Sequence, residues 1–145
     1  MKNDDRFQTR AIHIGNEPDK ESGAVAPPIH LTSTFEQKAV GKDKGFDYSR
    51  GGNPTRRRLE ENLATLEKGN HGLVFASGMA ATTTIFQTLS SGDHVIIGRN
   101  VYGGTYRMTV EVLSNHGIDF EFVDTRSLEK IRSSIKENTK LIFVE

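Results

Sequence analysis

Cysteine and tryptophan are both absent from the 145-residue sequence. Without cysteine there is no disulfide, no thiolate metal site and no thiol nucleophile, and a reducing cytoplasmic setting is the expectation. An excess of either charge is missing too, since 19 Lys and Arg residues face 19 Asp and Glu. A protein built to neutralise nucleic-acid phosphates carries a basic surplus, so nucleic acid is not an expected partner. Long apolar runs are lacking as well. Nothing approaches the roughly 18 residues of a membrane span, and the charged start Met1-Lys2-Asn3-Asp4-Asp5-Arg6 has no apolar segment of a secretory signal. No membrane partner is expected. The histidines His13, His30, His71, His94 and His116 show neither H-E-x-x-H nor any paired-ligand spacing, so no metal site is expected.

What is present divides at about residue 55. Residues 1–55 scatter Phe7, Ile12, Ile14, Val25, Ile29, Leu31 and Phe35 without a sustained period of 3.6 or 2. Pro27-Pro28 bars a helix there. So long an irregular lead is unusual inside a compact domain, and it reads as an arm that docks its apolar residues elsewhere. From residue 53 the pattern changes. Asn53-Pro54 is an N-cap followed by proline at the first helical position. Leu59, Leu63 and Leu66 then recur at helical spacing, and Gly69 is expected to end the helix.

Four short apolar runs, 73–76, 95–97, 118–123 and 141–144, are expected as buried strands. Between them come three helical patterns. One is capped by Ser77. One covers about 104–116, with Met108, Val112 and Leu113 on one face and Gly117 at its end. The last is capped by Ser127. Strands alternating with helices predict an α/β fold with a mostly parallel sheet and flanking helices. Residues 56–145 would form the first part of that domain.

Ligands of an open parallel sheet bind beyond the carboxyl ends of its strands. Ser77-Gly78-Met79-Ala80-Ala81 falls at such a point, where unpaired amides and the positive dipole end of a helix accept phosphate. The same residues also suit a plain Ser cap on a tightly packed helix. Tyr102-Gly103-Gly104-Thr105 sets an aromatic ring at another strand end, either to stack on a flat group and assist proton transfer or simply to line the core edge. In Asp47-Tyr48-Ser49-Arg50-Gly51-Gly52-Asn53-Pro54-Thr55, a Tyr hydroxyl and an Arg fork two residues apart make a phosphate clamp if the backbone is extended. An ordinary loop with a solvated Arg is the alternative. Arg56-Arg57-Arg58 opposes the helix dipole and is expected to be solvated or paired with Glu60 and Glu61.

Several stretches together carry a likeness: Gly23-Ala24-Val25-Ala26-Pro27-Pro28-Ile29, Thr32-Ser33-Thr34-Phe35, Tyr48-Ser49-Arg50 with Asn53-Pro54-Thr55, Ser77-Gly78-Met79-Ala80-Ala81, Tyr102-Gly103-Gly104-Thr105, and Lys136-Glu137-Asn138-Thr139-Lys140 leading to Glu145. In that order the chain resembles the N-terminal part of the pyridoxal-phosphate enzymes of cysteine and methionine metabolism. Cystathionine γ-synthase, cystathionine γ-lyase, methionine γ-lyase and O-acetylhomoserine sulfhydrylase are members. The resemblance implies the large aminotransferase-like α/β domain, here truncated, with pyridoxal 5'-phosphate as cofactor. By that likeness Ser77, Gly78 and Met79 bind the cofactor phosphate. Tyr48 and Arg50 reach the phosphate of a neighbouring subunit in a homodimer or homotetramer. Tyr102 stacks on the pyridine ring and assists proton transfer at the leaving group.

The family's Schiff-base Lys, its Asp facing the pyridine nitrogen and its carboxylate-binding Arg have no counterpart here and are expected beyond residue 145. The function implied for the complete protein is transsulfuration of cystathionine or homoserine esters, by γ-elimination or γ-replacement. Methionine γ-lyase and O-acetylhomoserine sulfhydrylase activities are the alternatives. Methionine γ-lyases commonly carry Cys where this chain has Gly104, which leans toward the cystathionine enzymes. A reading of another class is an inactive N-terminal piece that serves only in docking and assembly.

Overall fold

The structure, a computed structural model, describes residues 6–145; the charged start at residues 1–5 lies outside the described part. The chain divides into two compact units, one running to Val74 and the other spanning Phe75–Glu145.

The first unit is built on two helices, α1 (Phe7–His13) and α2 (Pro54–Leu66). Helix α1 corrects the expectation of an aperiodic lead. Its signal is faint in sequence because the side chain it buries is Arg10, 6% exposed, rather than an apolar one. Arg10 Nη1 donates to the Thr65 carbonyl at 2.5 Å, near the end of α2, where a cation also meets the negative end of the helix dipole. Asn62 Nδ2 donates in the other direction, to the carbonyls of Arg10, Ala11 and Ile14 at 3.3, 3.2 and 2.7 Å. The chain leaves α1 through Gly15 at φ +76°, where a Cβ would lie 2.2 Å from the Arg58 carbonyl oxygen; both the backbone angle and the close approach require glycine.

Asn53 caps α2 as expected, its Oδ1 accepting from Thr55 N–H at 2.8 Å. The arginine run also behaves as expected: Arg56 pairs with Glu60 at 3.4 Å and Arg57 with Glu61 at 2.9 Å. Arg58 instead donates to the carbonyls of Gly15 and Glu17, both at 3.2 Å. The end of α2 differs from expectation. The left-handed residue is Lys68, at φ 56°, and not Gly69. Lys68 N–H reaches the Thr65 carbonyl and Gly69 N–H the Ala64 carbonyl, the paired bonds of a Schellman motif with a lysine in the glycine position. Leu59 and Leu63 lie on an open face, 48% and 43% exposed.

The run 73–76 is a second correction. It is not a strand, and Leu73 is 74% exposed. A strand exists by its ladder bonds to a neighbour, and this segment pairs with no other among the described residues.

The second unit contains helix α3 (Gly78–Phe86), strand β1 (His94–Gly98), helix α4 (Gly103–Arg107), strand β2 (Asp119–Val123), helix α5 (Leu128–Ser134) and strand β3 (Thr139–Phe143). The strands form a parallel sheet in the order β2-β1-β3. All five residues of β1 are buried, as expected of a central parallel strand. On one face Val95 and Ile97 align with Phe120 and Phe122 of β2 and with Leu141 and Phe143 of β3. Phe86, Leu113 and Ile118 complete that core, with the Phe86 and Phe143 rings 5.3 Å apart. On the opposite face Glu121, the ladder partner of Ile96, accepts from Ser134 Oγ of α5 at 2.8 Å.

Helix α4 runs on through a π-helical stretch, Met108–Val112, and a 3₁₀ turn, Leu113–His116, to Gly117 at φ +72°. The wider π turn changes the buried stripe. Thr105, Thr109 and Leu113 face inward at a strict spacing of four, while Val112, expected on the inner face, is 49% exposed.

Candidate functional site

Residues expected at the site occur in both units. In the first, Tyr48 and Arg50 belong to a turn rather than the extended segment the clamp reading required. Gly51 and Gly52 N–H both return to the Tyr48 carbonyl, at 2.9 and 3.0 Å. The two side chains still converge, because the Arg50 guanidinium lies over the Tyr48 ring at 4.7 Å. The turn is held from α2. Arg56 Nη1 donates to the Ser49 carbonyl at 2.8 Å and its Nη2 to the Arg50 carbonyl at 3.3 Å. Asn53 Nδ2 donates to Ser49 Oγ at 2.9 Å, and Ser49 Oγ donates to the Thr32 carbonyl. For Arg56 the sequence predicts only solvation or pairing with an acidic side chain of α2. Its service to the turn has no sequence signal beyond proximity.

In the second unit, Ser77 caps α3: its Oγ accepts from Ala80 N–H at 3.1 Å. Gly78 opens the helix with nothing within 4 Å of the space a side chain would fill. The first-turn amides of any helix lack an intrahelical acceptor; here Ser77 Oγ takes the Ala80 N–H, while Gly78 is exposed and Met79 half-buried. Tyr102 is the N-cap residue of α4, and its ring is largely exposed, at 61%. The two motifs meet at Gly104. A Cβ there would sit 2.6 Å from Tyr102 Cε1 and 2.8 Å from Met79 Sδ, so the missing side chain lets the thioether and the phenol ring share one place.

Beyond the strand ends lies a cleft of about 510 Å³ lined by Gly98, Arg99, Asn100, Asp124, Thr125, Arg126 and Glu145. Arg126 grips Asp124 through two bonds of 2.9 Å and holds its carboxyl well below the usual carboxylate range. Glu145 Oε2 accepts from Tyr102 N–H and from Thr105 Oγ1, each at 3.1 Å. Nothing in the sequence marked Glu145 for that contact.

The profile of the Cys/Met metabolism PLP-dependent enzymes matches residues 8–145. The chain belongs to that family. A probable cystathionine gamma-synthase of Herpetosiphon aurantiacus is 51% identical over 139 residues, covering 96% of this chain and 44% of that protein. A cystathionine beta-lyase of Coxiella burnetii is 47% identical over 140 residues, covering 96% of this chain and 36% of that protein. Among solved structures, metB from Corynebacterium glutamicum superposes with a TM-score of 0.94 at 44% identity, over 98% of this chain and 37% of that one. The chain therefore spans less than half the length of these relatives. Family membership makes pyridoxal 5'-phosphate the cofactor to test against the site. Among the described residues no helix is long and apolar enough to cross a membrane, and no group of three or more His, Asp or Glu side chains could hold a metal ion.

Proposed function

We propose that this chain supplies the N-terminal share of a pyridoxal-phosphate enzyme of transsulfuration. The complete protein would act on cystathionine or homoserine esters by γ-elimination or γ-replacement. The observation that carries the reading is the junction at Gly104, where the start of α3 and the Tyr102 ring adjoin through Met79. A phosphate fits open first-turn amides, and a flat heteroaromatic ring fits beside an exposed phenol. The arrangement suits one ligand that carries both.

In this reading Ser77 Oγ and the amides of Gly78 and Met79 hold the phosphate, and Tyr102 lies against the pyridine ring. When bound, the pyridoxal group supplies the electron sink for charge developing beside the amino acid's α-carbon. Tyr102 Oη would hold or move a proton at the leaving group, the sulfur of cystathionine or the ester oxygen of an acylated homoserine. Tyr48 and Arg50 reach the phosphate of a neighbouring copy in a homodimer or homotetramer, and their stacking pre-orients both. The arm, residues 1–55, mediates that assembly. Val25, Leu31 and Val40 support this, being 82%, 95% and 102% exposed, a display of apolar surface that suits a partner. Residues 56–145 form the first part of the cofactor domain, and the enzyme works in the cytoplasm.

Products of cystathionine breakdown test the reading. Cysteine with a four-carbon 2-oxo acid supports γ-elimination. Homocysteine with pyruvate would move the cleavage to the β-carbon. A complete protein that retains no pyridoxal phosphate would overturn the proposal. Arg50→Ala is expected to weaken cofactor retention about tenfold or more, consistent with loss of a charge-assisted contact, as measured by equilibrium dialysis. Unchanged retention would remove Arg50 from the clamp.

A further inference from the structure

The contact between Glu145 and the start of α4 reaches further. In a capping box, the side chain at the third helical position returns to the N–H of the N-cap residue. In α4 the N-cap is Tyr102 and the third position is Thr105, whose hydroxyl donates elsewhere and makes no such return. Glu145 completes it from beyond β3. One carboxylate oxygen accepts both the Tyr102 N–H and the Thr105 hydroxyl, across 43 and 40 residues of chain. Thr105 is fully buried, so its hydroxyl depends on that acceptor. Among the described residues the Tyr102 ring has no comparable anchor of its own. It stands 61% exposed, against Met79 and over the gap at Gly104. Its position is therefore set mainly where its backbone is held.

We propose that Glu145 is a positioning residue for Tyr102: it fixes the backbone from which the ring projects and so sets the ring's angle over the bound cofactor. This rests on the reading of Tyr102 as the ring-stacking residue. The role needs an acceptor oxygen rather than a negative charge, because both partners are neutral donors. Glu145→Gln should therefore preserve it and Glu145→Ala should abolish it.

The test uses the complete, cofactor-loaded protein. Glu145→Ala is expected to lower kcat about tenfold or more while KM stays within about twofold, since a displacement of about an ångström can cost about a hundredfold. It should also alter the visible circular dichroism of the bound cofactor, which reports the ring's surroundings independently of turnover. Glu145→Gln should keep kcat within about threefold and retain the parental dichroism. In a Tyr102→Ala background Glu145→Ala should change kcat by less than about twofold, because there is no ring left to position. If Glu145→Ala does not fold, Thr105→Val carries the test, with a smaller loss in the same direction. Parental kcat and dichroism in the Ala variant, or in Thr105→Val where that is the one available, would overturn the inference and leave the proposed function standing. So would full additivity with Tyr102→Ala. A parental protein with no visible cofactor band would overturn both.

Discussion

The unit that runs to Val74 is held by polar side chains that reach backbone carbonyls, whereas Phe75–Glu145 is held by apolar side chains stacked on a sheet. In the first, Arg10, Asn62 and Arg58 each satisfy carbonyls far along the chain and Arg56 those of the nearby turn, while its large apolar residues Val25, Leu31 and Val40 stay exposed. In the second, Val95, Ile96 and Ile97 are wholly removed from water and Phe86 nearly so. Hydrogen bonds fix direction but contribute modestly each, and apolar burial supplies more of the stability. The first unit is thus shaped more than it is stabilised.

The largest expected effect separates the two. Ile97→Ala should cost about 3 kcal/mol by leaving a cavity under the aromatic layer, while Leu31→Ala should cost less than about 0.5 kcal/mol in the unassembled chain. Urea unfolding midpoints of the two variants check this, and similar costs would mean that residue 31 has found a covered site. Next comes Asn62→Ala, which removes a donor from three carbonyls at once, that of Arg10 keeping the Ile14 N–H, and should cost about 1–2 kcal/mol. Hydrogen exchange should quicken in α1 and leave β1 unchanged. Lys68→Gly should act in the opposite direction, stabilising by about 1 kcal/mol through relief of a left-handed lysine, read as a rise in the melting midpoint.

The smallest effect is expected from the ion pair at the sheet's lower rim. The hydrogen bond from Lys136, at 2.8 Å, is the main cause that holds the Asp119 carboxyl below its usual 3.8. A carboxylate with a lowered folded pKa contributes its stability above the unfolded value and loses it as pH falls through the folded one. Both partners are about half exposed, so solvent screens the pair. Asp119→Asn should flatten the acid limb below about pH 4 slightly and leave stability at neutral pH almost unaltered. A pH titration of the unfolding midpoint for parent and variant reads the difference.

How much was legible in the sequence follows the range of the interaction. The caps at Asn53, Ser77 and Ser127 were readable, because each is settled within three residues. The buried run of β1 was readable because a central parallel strand is apolar throughout. The run 73–76 looks just as apolar, but a ladder partner is not a local property, and the segment stays unpaired. Helix α1 was missed because it buries an arginine, which no apolar period records. At the site the same rule holds. The Ser77 cap lies within a short motif, whereas Tyr48 and Arg50 meet through a turn and not through the extended backbone expected. The service of Arg56 to the turn, the closeness of Met79 to Tyr102 and the bond from Glu145 depend on folding.

The π-helical stretch Met108–Val112 has a consequence for the chain's length. A wide turn of this kind accommodates one residue more than an α-helix needs to cover the same rise. Removing a single residue there should let the turn tighten to ordinary α-helix while Tyr102 and Gly117 keep their places. Elsewhere in the regular elements such a deletion would rotate everything after it by about 100° in a helix or swap the faces of a strand. Among the regular elements of the second unit, this stretch is therefore one where the gene could lose one codon and leave both flanking motifs in register.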